Sequence, residues 1–142
     1  MSMELFVILA ATNAPDVDAL NKSLAAASVP VIFESADLSH HTGFLPAALR
    51  DKKTGIYFLR DSYPELAAHF PAVAALKVEK PVVYSLGYGG DWFEAATAFY
   101  SASVLVSKYG GTAFDPQGGI VMDAEALLEA ARQCEAEAAN AQ

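Results

Sequence analysis

The stretch from Trp92 to Tyr109 is apolar on nearly every side of the helix it would form. It carries Trp92, Phe93, Phe99, Tyr100, Val104, Leu105 and Val106. A helix with no polar side is stable only when other elements enclose it. The remainder of the chain must therefore act as its surround. Asp91, with Glu94 three residues on, has the spacing of a capping box at the helix start. Gly110 and Gly111 close it with residues that accept positive φ. At 142 residues the chain is near the usual size of one domain, so a single domain, 1–142, is expected.

The flanking pattern supplies that surround. Met3 to Ala10 reads as a strand; it lacks a basic leader, and its apolar run is too short for a signal peptide. Asn13-Ala14-Pro15-Asp16 opens a helix, with Pro suited to the first turn and Asp16 and Asp18 to the positive end. Val17, Leu20, Leu24 and Ala27 form its apolar stripe. Strands are expected over Val29–Glu34, Gly55–Asp61 and Pro81–Tyr88. Ser35 to Lys53 lacks regular periodicity and reads as a long loop around His40-His41-Thr42-Gly43-Phe44-Leu45-Pro46. Tyr63 to Leu76 reads as one or two short helices, broken at Pro71.

Thr112–Asp115 and Gly119–Met122 flank Pro116-Gln117-Gly118, a hairpin signature. Asp123 caps a last helix with Leu127, Leu128, Ala131 and Cys134 along one side. Its end, Ala138 to Gln142, is expected to fray. The order β-α-β-β-(α)-β-α-β-β-α predicts an α+β fold. It should be a mainly antiparallel sheet with packed helices, including a central buried helix at about 91–109 and an amphipathic C-terminal one.

Charge narrows the function. Nine Lys and Arg stand against seventeen acids, a net charge of -8. Phosphate backbones repel such a surface, so direct nucleic-acid binding is not expected. The same charge suits docking against a basic protein. The lone Cys134 cannot form an internal disulfide, and no apolar run is long enough to span a bilayer, so cytoplasmic residence is expected.

Reactive groups are sparse. His40 and His41 are adjacent and would point to opposite sides of a strand, and His69 lies far along the chain. Neither a His-x-x-x-His nor a Cys-x-x-Cys pair occurs, so no metal site is expected. Cys134 falls on an apolar stripe and reads as a small hydrophobe. Ser101, Ser103 and Ser107 lack a neighbouring base. Leu86-Gly87-Tyr88-Gly89-Gly90-Asp91 has the look of a dinucleotide turn. It lacks the third glycine, and Asp91 fills the place of the phosphate. Neither a catalytic residue nor a cofactor is assigned, and enzymatic activity is not expected.

Partner binding has more coherent support. Long loops in compact proteins are commonly functional, and this one mixes His40, His41, Phe44 and Arg50. Tyr88 and Trp92 flank a turn, and Asp37, Asp61 and Asp91 add acidic groups near loops. These nine residues are the candidate partner-binding set.

Three stretches taken together carry a resemblance: His41-Thr-Gly-Phe-Leu-Pro46, Gly55-Ile-Tyr-Phe58, and Tyr88-Gly-Gly-Asp91 with its Ala-rich helix and Gly110-Gly-Thr-Ala-Phe-Asp-Pro-Gln-Gly118. From about residue 3 to residue 132 the chain resembles small bacterial immunity proteins paired with interbacterial toxins, including effectors of type VI secretion. The resemblance implies an immunity protein that binds a cognate toxin and occludes its active site. Toxin-facing residues vary within that group, so none is carried over. One departure is visible: an acidic residue often follows Asp-Pro-Gln there, and Gly118 follows here. Two alternatives remain beside it: a small enzyme using His40 or His41 with Asp37, and a homodimer joined through the apolar excess.

Overall fold

The computed structural model describes residues 3–141; Met1, Ser2 and Gln142 lie outside it. The strands are β1 (Met3–Ala10), β2 (Val31–Phe33), β3 (Thr42–Leu49), β4 (Lys52–Asp61), β5 (Pro81–Tyr88), β6 (Thr112–Asp115) and β7 (Ile120–Met122). They form one antiparallel sheet in the order β2-β3-β4-β5-β1-β6-β7. The helices are α1 (Val17–Ala26), α2 (Tyr63–His69), α3 (Pro71–Ala74), α4 (Trp92–Tyr109) and α5 (Ala124–Asn140).

The expected α+β class is the one observed, and its plan follows from α4. One face of the sheet lies under that helix. Leu5, Val7 and Leu9 of β1, Tyr84 and Leu86 of β5, and Ile56 and Phe58 of β4 point to it, as the two-residue period of a strand requires. α1 flanks α4, and α5 packs along its outer side with Leu127, Ala131, Cys134 and Ala138. Buried Ala95, Ala96, Ala98 and Ala102 let the neighbours approach the α4 backbone closely. Its enclosed hydroxyls bond to the helix itself. Thr97 donates to the Phe93 carbonyl, Ser101 to that of Thr97, and Ser103 to that of Tyr100, each at 2.7 Å. These serines are satisfied structural groups.

Helix ends follow the anticipated chemistry with one change. Asp16, Asp91 and Asp123 each cap a helix, accepting from the amides of Ala19, Phe93 and Ala126 at 2.8 Å. Pro15 therefore lies just outside α1. Glu94 reaches back past Asp91 and accepts from the Gly89 amide at 3.0 Å. Gly110 takes the left-handed conformation, φ 69°, that stops α4. At the C-terminus, fraying at Ala138 is overturned: α5 runs to Asn140, and Ala138 is buried against the core.

The largest correction concerns Ser35 to Lys53. Thr42–Leu49 is strand β3, Lys52 and Lys53 begin β4, and the connection from β2 spans only residues 34–41. Pro46, like any proline, lacks the N–H that a strand ladder uses. Its carbonyl accepts from the Glu34 amide at 3.0 Å, on the side away from β4. The missing donor thus falls at the end of β2 and costs the β3–β4 ladder nothing. Leu49 pairs with Lys52 across a two-residue turn, with Arg50 at φ 57°.

The β2 edge of the sheet is capped by a side chain. Asn21 of α1 accepts from the Phe33 amide at 2.8 Å and donates to the Phe33 carbonyl at 2.9 Å. It thus stands in for a neighbouring strand. Asn21→Ala is expected to lower unfolding stability by about 1–2 kcal/mol, the scale of two lost part-buried hydrogen bonds. Urea denaturation checks it, with Asn21→Asp as the isosteric comparison.

Candidate functional site

The second face of the sheet is covered over only half its width. Phe6, Ile8, Val83 and Phe114 lie under α2 and α3, packed by Leu66, Val73 and Phe70. Over β2, β3 and β4 that cover stops. Ile32 is 64% exposed, Tyr57 52%, Phe44 42% and Leu59 36%, all pointing outward from this side. Pro46 and Ala48 lie between them, since Ala48 pairs with Ile32 and Pro46 sits between Ala48 and Phe44 on the same face of β3. The result is an apolar strip on a rigid sheet.

The strip has relief. Phe44 and Tyr57 are paired across β3 and β4, and their rings meet edge-to-face with centroids 5.3 Å apart. The Phe44 ring also lies over Gly55: a Cβ there would come within 2.5 Å of Phe44 Cζ. Glycine at 55 thus lets the aromatic ridge lie down on the sheet. On one side of the ridge is a groove of about 360 Å³, lined by Ile32, Glu34, Ala48, Lys53 and Thr54. Thr54 pairs with buried Ala47, so its side chain is on the α4-covered face, where its hydroxyl is enclosed without a hydrogen-bond partner. On the other side is a cleft of about 490 Å³ walled by Tyr57 and Leu59, with Ser85 and Gly87 as floor and Glu4, Gly89 and Gly90 at the rim.

The nine residues singled out from the sequence do not converge. Phe44 stands on the ridge. Asp37, His40 and His41 occupy the turn before β3. There His40 Nδ1 lies 2.8 Å from Asp37 Oδ2, with both side chains mostly in solvent. This contact holds the Asp37 carboxyl below its ordinary value. His41 Nε2 donates to the Phe44 carbonyl at 3.0 Å. The His40–Asp37 pair lines neither concavity of the strip. Asp61 ends β4 and accepts from the Ser62 amide at 2.8 Å.

Three of the nine are structural. Arg50 lies at the far end of β3, where its Nε donates to Glu135 Oε2 of α5 at 2.6 Å. Tyr88 is buried with its ring 5.7 Å from that of Phe99, and burial pushes its hydroxyl up to about 12. Asp91 is the α4 cap. Trp92 is 45% exposed, but it belongs to the α4–α5 side, beside Phe99 and Cys134. Cys134 is buried and its thiol raised by desolvation, which suppresses the reactive thiolate.

Sequence reasoning missed Ile32, Tyr57, Leu59 and Glu4. A signal existed: Ile56-Tyr57-Phe58-Leu59 is apolar at every position, so both faces of β4 are apolar, although only one is covered. Among the described residues no group of three or more His, Cys, Asp or Glu is placed to hold a metal ion. No helix among them is long and apolar enough to cross a membrane. No protein-family model, curated protein or solved structure matches the chain.

Opposite the strip, Arg50, Glu135 and Tyr100 staple the β3–β4 turn to α4 and α5. Tyr100 donates to Glu135 Oε1 at 2.7 Å. Its hydroxyl is pushed up to about 12, first by burial and then by this bond. Arg50, ahead of desolvation, holds the Glu135 carboxyl below 4.5. A lowered carboxyl contributes stability above its unfolded value, and that contribution is lost as pH falls through the folded one. Glu135→Gln should therefore cost stability at pH 7, roughly 0.5–1 kcal/mol for so exposed a guanidinium. The gap from the parent should close toward pH 3 in denaturant titrations.

Proposed function

We propose that this chain is a binding protein of the immunity type, which docks a cognate bacterial toxin domain and blocks its active site or substrate path. The observation that carries the reading is the uncovered apolar strip of Ile32, Phe44, Tyr57 and Leu59. Scattered exposed apolar side chains are ordinary on a protein surface, whereas a contiguous strip marks a place where another molecule sits. Two interlocked aromatics at its centre are of the kind that anchor interfaces. Their sheet scaffold is held in place by α4, so docking requires little ordering on this side. A net charge of -8 favours encounter with a basic partner. The resemblance of the Gly-Phe-Leu-Pro, Gly-Asp and Asp-Pro-Gln stretches to immunity proteins supplies the partner's class, and a cytoplasmic site of action goes with it.

The reading makes the strip a plug. Toxin and chain are expected to be encoded side by side, so the neighbouring reading frame is the first partner to test. Expressed alone it should arrest growth, and co-expression of this chain should restore it. Tyr57→Asp and Phe44→Asp place a charge in the strip without touching the α4 core. Each is expected to weaken the complex by roughly thirtyfold or more, as loss of an interface anchor does, and to abolish protection. Calorimetric titration and growth curves measure this. A neighbour that is harmless alone, or full protection by both variants, would contradict the proposal.

A further inference from the structure

We infer that the cleft beside Tyr57 receives an arginine side chain of the docked partner. The inference rests on the docking reading above and names the chemistry of one of its contacts. Gly87 of β5 lies between Tyr57 of β4 and Glu4 of β1 in the register of the sheet. Lacking a side chain, Gly87 leaves the floor at backbone level; a Cβ there would come 3.2 Å from Tyr57 Cβ. Tyr57 forms one wall, half exposed and steadied by the edge contact with Phe44. Ser85 and Leu59, paired with each other, continue the floor and wall one step along.

The electrostatics favour a cation. Two amides at the β5–α4 turn, which would otherwise attract an anion, are taken. Gly89 donates to Glu94 Oε1 at 3.0 Å and Phe93 to Asp91 Oδ1 at 2.8 Å. Glu94 and Asp91 thereby add carboxylates beside a rim that already carries Glu4. Among the described residues Glu4 makes no ion pair. A hard metal ion needs several converging oxygens, and the cleft lining has only the Glu4 carboxylate. An ammonium is compact and strongly hydrated. A guanidinium is planar and weakly hydrated, so it can stack on Tyr57 while its edge meets a carboxylate and backbone carbonyls. The aromatic wall, flat floor and acidic rim match that shape. A basic partner is also what a chain of net charge -8 attracts; a second copy would bring acids against acids.

The test uses the isotope-labelled chain titrated with N-acetyl-arginine methylamide, followed by amide resonances. The corresponding lysine and citrulline compounds serve as controls. Shifts are expected at Tyr57, Ser85, Gly87, Gly89 and Gly90, largest for arginine. Glu4→Gln should weaken arginine binding roughly two- to fivefold, the scale of an exposed ion pair. Tyr57→Leu should weaken it by about as much through loss of stacking. Spectra unchanged away from the cleft show that both variants fold. An equal response to citrulline, indifference to both variants, or no response at these amides would overturn the inference. So would shifts at the same amides that grow with protein concentration alone, which would assign the cleft to a second copy. Protection from the toxin without arginine selectivity would retain docking and remove this contact; selectivity without protection would do the reverse.

Discussion

Enclosing α4 is the constraint on which the remaining architecture depends. Eighteen residues with almost no polar side need cover on all sides. The chain spends one whole face of its sheet, all of α5 and much of α1 on that cover. What is left for the other face is α2 and α3, of seven and four residues. They shelter Phe6, Ile8, Val83 and Phe114 and reach no further. The bare strip over β2, β3 and β4 is thus the complement of a well-enclosed helix. Its residues are apolar even though the chain itself leaves them uncovered.

The capped β2 edge of the sheet directs a partner to that face. At β2 the Asn21 carboxamide occupies the outward amide and carbonyl of Phe33, so an incoming strand finds no ladder to extend there. The face beside it is preformed. Phe44 is seated over Gly55, Tyr57 is seated against Phe44, and the Arg50–Glu135–Tyr100 staple fixes the β3–β4 turn to the helices behind. Interfaces built on rigid aromatics in this way gain affinity by losing little freedom on binding.

Most of the fold was legible because its boundaries are chemical. The limits of α4 and β5 follow from Asp91, Gly110 and Pro81, and the β6–β7 hairpin from Pro116 to Gly119. Strand β3 was hidden by Gly43, which weakens a strand, and by Pro46, which removes a donor; at Pro46 that donor faces the end of β2. The site was less legible, for a different reason. Loop position and polar or aromatic character selected Asp37, His40, His41, Arg50, Asp61, Tyr88, Asp91 and Trp92. The fold uses Tyr88 as core, Asp91 as a cap and Arg50 as a staple, puts Asp61 one step beyond Leu59 at the end of the strip, and leaves the others away from it. Phe44 alone belongs to both sets. Ile32, Tyr57 and Leu59 look like core residues in sequence. Only the reach of α2 and α3, a tertiary property, exposes them.

The account's central claim is that the uncovered half of the sheet is the working surface. Hydroxyl-radical footprinting of the chain, free and in complex with its cognate partner, tests this directly, because the exposed aromatics and aliphatics are themselves the reporters. The account predicts protection of Phe44, Tyr57, Leu59 and Ile32 on binding, with Trp92, Ile120 and Val121 unchanged. Protection of Trp92 or of the β7 edge, with Phe44 and Tyr57 as reactive as in the free chain, would contradict it.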